Sequence, residues 1–525
     1  MINKNKQKKT VILSLAFNYH DSNIALSVDS KILASLEIER LFRSKKINAS
    51  VTHMEIGARF LLEKYNLNIS DIDYLVVNAL SNPFDSENSL EDIRESKYEF
   101  LGRKMRALVV RHHMAHAGYY YFSKYKKALI ASCDGGGDLG ERVAYFLGDG
   151  KEITRLNIDT STHTSTKPYG QFSAFLYEEP FSEGKLMALA GLKSKIDQRL
   201  LKKVSRTFLP LKNVDFVSGQ NLLNERFEKY KGLAKKDPES CAPLATCIQK
   251  EFVNRRINDL KSVYKADYEN LVTVGGSALN LECNSNIYNY ITKKLYIPPN
   301  CDDTGIAVGQ CAVIIAKLLN KRPICKLPFI GLEENARNYA LTKKGKCKDI
   351  LVKNNPQAIA KRLANNELCI RHFGRPEVGP RALGHRSFLM NPLNIKNRNI
   401  VSINIKGREW YRPVAPIIIQ EDLNFYFTGG PNKSLYMLFN YKAKNKTKNK
   451  IPAIVHYDGT SRVQTISKKD DPFLYKILIE FKKITGVGAL INTSLNLKNQ
   501  PLSNFLHDTF EIARKIHYKF FICLK

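Results

Sequence analysis

The sequence predicts an α/β protein with a duplicated α/β domain over residues 1–340 and a separate mixed α/β domain over residues 350–525. Three observations carry this. Short apolar runs separated by Asp- and Gly-rich turns open the chain, and the same pattern returns near residue 128. A polar stretch near residues 330–350, EENARNYALTKKGKCKD, separates that part from the remainder. The remainder again mixes apolar strand-like runs with helical ones.

The elements follow in order. VILSLAF, IALSVDS and KILASLEIER read as strands joined through NYHDSN and a tight turn. A helix is expected over residues 54–66, followed by the strand YLVVNAL. ALIASCDGGGDLGERVAYFLGDG is again strand, Gly-rich turn, strand, so the active cleft is expected between two similar halves. Residues 190–270 read as largely helical. LVTVGGSALNLECNSNIYNYI is strand, Gly-Gly turn, helix, and YIPPNCDDTGIAVGQCAVIIAKLL is a loop entering a helix. Turns of this kind, at the ends of strands, are where phosphates and metals bind. KAKNKTKNK, Lys442 to Lys450, reads as an exposed loop. There is no G-x-x-x-x-G-K-[ST], so any ATP site is not a P-loop.

Composition narrows the setting. The basic start MINKNKQKKT leads into an apolar run too short for a signal peptide or a span, which predicts a cytoplasmic protein without a membrane partner. Ten cysteines without a C-x-x-C pair fit reduced, buried thiols. The formal net charge is +32. Residues 351–525 hold 29 Lys and Arg against 11 Asp and Glu, more than twice the net positive charge per residue of the first 350. Such a balance suits a polyanion such as nucleic acid, and equally a lysine-rich composition rich in Asn and Ile.

RHHMAHAGYYYFSKY places His112 and His116 four residues apart, on one face of a helix. Asp134 ends a strand and opens a Gly-rich turn. Two imidazoles and a carboxylate can hold a metal ion with open positions. The same histidines also fit a polar helix face or satisfied core residues. Tyr119, Tyr120, Tyr121 and His113 read as packing residues.

Further clusters follow: GKLMALA, VGGSALN, DDTG, EVGPRALGHRS, REWYRP, HYDGTSRVQT and INTSLN. This ordered set, with HHMAHA, resembles the O-carbamoyltransferase family acting on nodulation factors, aminoglycosides and other natural products. The resemblance spans nearly the whole chain. It implies an N-terminal domain similar to the actin-like (ASKHA-type) fold of the enzyme that makes threonylcarbamoyl-adenosine on tRNA. It also implies a C-terminal domain similar to threonylcarbamoyl-adenylate synthases. The reaction implied consumes carbamoyl phosphate and ATP, with Mg2+. A carbamoyl-adenylate made in the C-terminal domain passes to the N-terminal one, where an acceptor hydroxyl takes the carbamoyl group.

By motif matching, the family's metal, Fe2+ in most members, falls on His112, His116, Asp134 and Asp303, and its catalytic histidine on His20. Gly275, Gly276, Asn280 and Lys185 are implied around the adenylate in the N-terminal domain. Arg381, Arg386, Lys406, Arg408, Arg412, Arg462, Asn492 and Ser494 are implied around ATP and carbamoyl phosphate. Fixed cations suit that clustered negative charge, although some could pair instead with Glu377 or Glu409. The sequence departs from the family at Cys301, where glycine is common, and at Asp138, where glutamate is frequent. The first change leaves the choice between Asp302 and Asp303 less sharp.

The motifs leave the acceptor open. The charge favours a hydroxymethylated pyrimidine in DNA, with a sugar, nodulation factor or antibiotic-like molecule as the alternative. A duplex base would have to flip out to reach a buried site. Two further readings are a non-catalytic nucleotide-binding regulator and a tRNA-threonylcarbamoyl enzyme with a fused synthase. The intact histidine–aspartate set argues against the first, and REWYRP with HYDGTSRVQT against the second. An oligomer is compatible with all of these.

Overall fold

The computed structural model describes residues 9–84, 89–192, 195–333, 351–352 and 355–524. The expected boundary at 340–350 lies outside the described residues.

The opening strands are β1 (Val11–Ala16), β2 (Asn23–Val28) and β3 (Lys31–Glu37), an antiparallel meander. The helix Val51–Lys64, capped by Ser50, crosses over to β4 (Tyr74–Asn78), which lies parallel to β1. β5 (Ile93–Phe100) and β6 (Arg103–Val110) complete a six-stranded sheet of order β3-β2-β1-β4-β6-β5. A second sheet repeats the plan. β7 (Lys127–Cys133), β8 (Val143–Asp149) and β9 (Glu152–Arg155) form the meander. β10 (Leu271–Val274) lies parallel to β7, and β11 (Leu295–Tyr296) parallel to β10. Its order, β11-β10-β7-β8-β9, matches the first sheet strand for strand from β6 to β3. The crossover from β9 to β10 is the helical stretch expected from the sequence, ending in the long helix Pro238–Val263.

The duplication is therefore real, and it aligns two turns. The turn between β1 and β2 carries His20, and the turn between β7 and β8 begins with Asp134.

The third sheet is mixed: β12 (Leu351–Val352), β13 (Leu368–His372), β14 (Arg386–Met390), β15 (Ala415–Ile419), β19 (Gln464–Ile466), β20 (Ala489–Ser494) and β21 (Phe520–Leu524). A small sheet of β16 (Phe427–Thr428), β17 (Tyr441–Ala443) and β18 (Thr460–Ser461) lies beside it. Here the structure corrects one expectation. KAKNKTKNK is not a loop: it finishes β17 and forms the helix Asn445–Lys450. Thr447 is the anchor the alternating pattern hid, being fully buried with its hydroxyl donating to Tyr426 O, while Lys446 lies over the Phe425 ring.

The third sheet is docked on the first two through buried contacts. Arg40 donates to the carbonyls of Glu377 and Gly379 while paired with Glu37 at 2.8 Å. Arg375 donates to Leu33 O, Ile330 O and Gly331 O. The Tyr177 and Tyr411 hydroxyls meet at 2.6 Å. Ala278, Ile297, Cys301 and Leu438 form one apolar cluster across the junction. A thiol at 301 therefore fills interface space that a glycine would leave open.

Candidate active site

The histidine helix, His112–Ala117, is short and wholly buried. Its first N–H is satisfied by Asp138, which reaches from the β7–β8 turn to accept from His112 N. The helix lies in backbone contact with the helix Ile306–Leu319. A β-carbon at Gly118 would stand 2.1 Å from Gly309 O, and one at Gly309 would stand 2.0 Å from Ala115 O. Only glycine permits this approach. The second helix is fixed in turn by β1 and β2. Asn23 accepts from Ala307 N at 2.9 Å and donates to Asp303 O at 2.8 Å, while Gln310 donates to Leu15 O at 2.7 Å.

These constraints bring His112, His116, Asp134 and Asp303 together, one ligand atom of each lying within 4.8 Å of the others. His116 Nε2 is 3.4 Å from both Asp134 Oδ2 and Asp303 Oδ1, and His112 Nε2 is 3.7 Å from Asp303 Oδ1. All four ring nitrogens of the two histidines, and Asp303 Oδ1, are buried without a hydrogen-bond partner. Such groups cost about 1–3 kcal/mol each when unmet. A divalent metal would meet them, and two imidazoles with two carboxylates are a fitting donor set. Asp134 is held by N–H donors from Gly135 and Gly276. Burial opposes charge on His116, yet the two carboxylates outweigh it and lift its pKa to about 9 without a metal. His113 is packing, as read from the sequence: Nδ1 meets Ser132 Oγ at 2.7 Å, and burial holds its pKa well below 6.5.

His20 sits in the turn between β1 and β2 with its side chain partly exposed. Its Nδ1 lies 2.7 Å from Asp21 Oδ2, the same oxygen that takes Lys46 Nζ at 2.5 Å. Asp21 adopts a left-handed φ of 62°, which turns its carboxylate back onto the ring. Burial lowers the His20 pKa, but the hydrogen bond and charge of Asp21 more than offset this, and the result is raised above 6.5. With Asp21 accepting from Nδ1–H, Nε2 is free to take a proton.

Gly275 has φ 86°, and its N–H donates to Cys301 O at 2.7 Å, tying the Gly-Gly turn to the metal loop. Asn280 instead caps the helix Leu281–Tyr290 and bonds Gln249, so its side chain is committed to structure. Lys185 is bound by Glu179 at 2.8 Å and Glu409 at 3.4 Å.

Around the third sheet, Arg381, Lys406, Arg408, Arg412 and Arg462 converge. Burial, followed by the charge of its neighbours, depresses Arg408 to about 9 and Arg462 and Lys406 well below their ordinary values. Glu409, 3.6 Å from Arg412, is the acid nearest to hand. Lys406 donates to Ser494 and Asn496. Asn492 donates to Gln464 and Ala382 O, leaving a buried, unpartnered Oδ1. Arg386 stands apart, its guanidinium spent on the carbonyls of Asn504, Phe373 and His385.

The cationic group and the metal cluster are neighbours. A β-carbon at Gly379 would lie 2.6 Å from Pro299 O, so the EVGPRALG loop rests directly on the loop carrying Asp302 and Asp303. Burial raises Asp302 to about 6, and its carboxyl hydroxyl partner is Thr304, not the metal cluster.

The family models described as Carbamoyltransferase N-terminus and Carbamoyltransferase C-terminus match residues 93–312 and 360–523. The chain belongs to the carbamoyltransferase family. It is thus an enzyme of a transferase family, and the histidine–aspartate cluster falls wholly inside the first match, while His20 precedes it. Nodulation protein NolNO of Sinorhizobium fredii is 25% identical over 93% of this chain and 76% of its own length. Nodulation protein U of Rhizobium tropici is 34% identical over 43% of this chain and 38% of its own. Among solved structures, the activator of the 2-hydroxyisocaproyl-CoA dehydratase from Clostridium difficile with bound ADPNP matches 59% of this chain and 97% of its own. Its TM-score is 0.34 and its identity 14%. Among the described residues, no helix is long and apolar enough to cross a membrane.

Residues that the sequence did not single out are Asp21, Lys46 and Glu37. Asp21 had a signal, as the direct neighbour of His20. The other two meet their partners only in the folded arrangement.

Proposed function

We propose that the chain is an ATP-dependent O-carbamoyltransferase with two linked sites. Residues 350–525 convert carbamoyl phosphate, ATP and one water into carbamoyl-adenylate, pyrophosphate and phosphate: water splits carbamoyl phosphate into carbamate and phosphate, and a carbamate oxygen bonds to the α-phosphorus of ATP as pyrophosphate leaves. Residues 1–340 transfer the carbamoyl group to an acceptor hydroxyl. The observation that carries this is the crowd of under-paired cations resting, through the 377–384 loop, on the metal-ligand loop of the other unit. Arg381, Arg408, Arg412 and Arg462 bind phosphate oxygens, and Lys406 and Asn492 hold the reacting group between strands β14, β15 and β20. Arg386 holds the backbone that carries them.

In the transfer step the acceptor oxygen forms a bond to the carbamoyl carbon. The bond from that carbon to the adenylate oxygen breaks, and AMP leaves with the electron pair. His20 Nε2 takes the hydroxyl proton, with Asp21 steadying the imidazolium. His112, His116, Asp134 and Asp303 would hold a divalent metal, which would supply Lewis acidity for the transfer. Fe2+ is the ion the resemblance implies, and the donor set suits it. Gly275 and Gly276 let the adenylate approach the backbone.

The acceptor we favour is a hydroxymethylated pyrimidine in DNA, because the molecule carries a net charge of +32. A sugar or other small natural product is the second reading. The test is mass spectrometry of nucleosides from hydroxymethylated DNA incubated with the protein, carbamoyl phosphate, ATP, Mg2+ and Fe2+. The expected gain is one carbamoyl group. In His20→Ala the transfer should fall by about 10²–10⁴-fold while pyrophosphate release persists. Pyrophosphate release without any nucleoside gain would move the acceptor to small molecules. No carbamoyl phosphate-dependent release at all would overturn the transferase reading.

A further inference from the structure

A row of surface cations also lies outside the C-terminal third, in the helical stretch of the first half. The helix Gln198–Asn213 carries Arg199, Lys202, Lys203 and Arg206 at spacings of three, four and seven residues, so they form one outward row. The opposite face, Val204, Phe208 and Leu211, is buried. No acidic residue lies within the helix, and Asp197 is used as its cap. Arg226, from the next helix Phe216–Phe227, joins the row, and its guanidinium is fixed by Arg206 O and Thr207 Oγ1. Lys203 lies over the Phe227 ring. Together these five cations are the described residues that line an open cleft of about 550 Å³. The lysines of the 442–450 segment differ: Lys444 and Lys450 are already bonded to carbonyls of Asn424 and Gly486, and Lys446 covers Phe425.

We infer that this helical face is a docking surface for the phosphate backbone of nucleic acid. The row from Arg199 to Arg206 spans about 10 Å at the helical rise of 1.5 Å per residue. That corresponds to about three nucleotide steps of one strand, so the row fits an extended polyanion better than a single phosphate group. Helical cations of this kind position nucleic acid without reading its bases. The face belongs to the same half of the molecule as the metal carboxylates. Thr166 N bonds Asp134 O, the helix Lys167–Tyr177 starts there, and its Gln171 donates to Leu211 O of the basic helix. The inference gains its purpose from the DNA-acceptor reading, but its test does not depend on it.

The experiment compares equilibrium binding of a fluorescent duplex and a single strand across a salt series. The full-length protein is set against a variant carrying Arg199→Glu, Lys202→Glu, Lys203→Glu and Arg206→Glu, and against a control carrying Lys444→Glu, Lys446→Glu and Lys448→Glu. The first variant should bind at least tenfold more weakly near physiological salt. Its slope of log affinity against log salt should shrink by about 3 to 4, at roughly 0.9 per lost phosphate contact. The control should stay within about twofold. Unchanged pyrophosphate release in both variants shows that they fold, and a version with four Gln substitutions serves if the glutamates do not. The inference is overturned by an unchanged slope, by loss confined to the 444–448 control, or by an unmodified protein that releases pyrophosphate yet binds no nucleic acid. It is also overturned if the first variant loses binding to phosphatidylserine vesicles and keeps the duplex. Absent pyrophosphate release in the unmodified protein would strike the transferase reading alone.

Discussion

His20 depends on its neighbour for its chemistry. Asp21 fixes the ring through Nδ1 and, by holding the imidazolium, keeps the pKa above 6.5. A base must be neutral to act, so the acid limb of transfer should lie above that value. Asp21→Asn should move this limb to lower pH and slow transfer by roughly tenfold or more, with pyrophosphate release unchanged; pH–rate profiles of the transfer step measure both. A limb that stays in place would remove Asp21 from this role. At this scale the sequence was readable where chemistry is local. H-x-x-x-H puts two imidazoles on one helical face, where spacing alone left a metal site and a polar face both open, and His20 came from the family resemblance. Asp134 could be read from the Gly-rich turn that it opens at a strand end, whereas Asp303 needed the family resemblance, because residues 169 apart share no spacing rule. Lys46 was not readable at all. Its ammonium reaches Asp21 from a stretch, FRSKKINAS, that has no motif and only the fold brings near.

Two helices decide whether four ligands become one site. Gly118 and Gly309 let the histidine helix touch the helix Ile306–Leu319, backbone to backbone. Gly309→Ala would put a methyl group against Ala115 O, at 2.0 Å, so the helices must separate. Overpacking of this sort costs about 1–3 kcal/mol. The expected result is a lower Tm together with weaker metal retention, read by elemental analysis after dialysis, and no change in pyrophosphate release. A lower Tm with full metal content would show that the cluster tolerates the shift. The duplicated strand–turn–strand plan was legible in the sequence because the apolar runs and Gly-rich turns repeat, whereas the strand order came only with the fold. The lysine segment was not, because one buried threonine fixes its helix and a period-two charge pattern conceals it. Asn280 and Arg386 show the converse. Both lie in motifs, yet one caps a helix and the other holds carbonyls, roles that the folded context alone assigns.

Across the whole molecule, a buried ion pair joins the sheets. Glu37 accepts from Gly379 N at 2.9 Å and pairs with Arg40, which holds the 377–379 backbone. Burial, working against Arg40, lifts the Glu37 pKa from 4.5 to about 8. A carboxyl raised in the folded state binds its proton more tightly there than when unfolded. Its contribution to stability is therefore complete below 4.5 and is lost as pH rises through about 8. The loss can reach about 1.4 kcal/mol per pH unit. Tm should fall between pH 5 and 9, and Glu37→Gln should flatten that fall; equal slopes in both proteins would refute the assignment. The loop resting on Pro299 has a wider consequence. Glu37, Arg40 and Gly379 bond one another, and Cys301 packs against Leu438 at the same junction, so the two ends of the gene are not free to recombine. A hybrid built from the front of one relative and the back of another should inherit both chemistries and still fail to couple them, unless the 37–40 and 299–303 segments travel with the donor of residues 377–384.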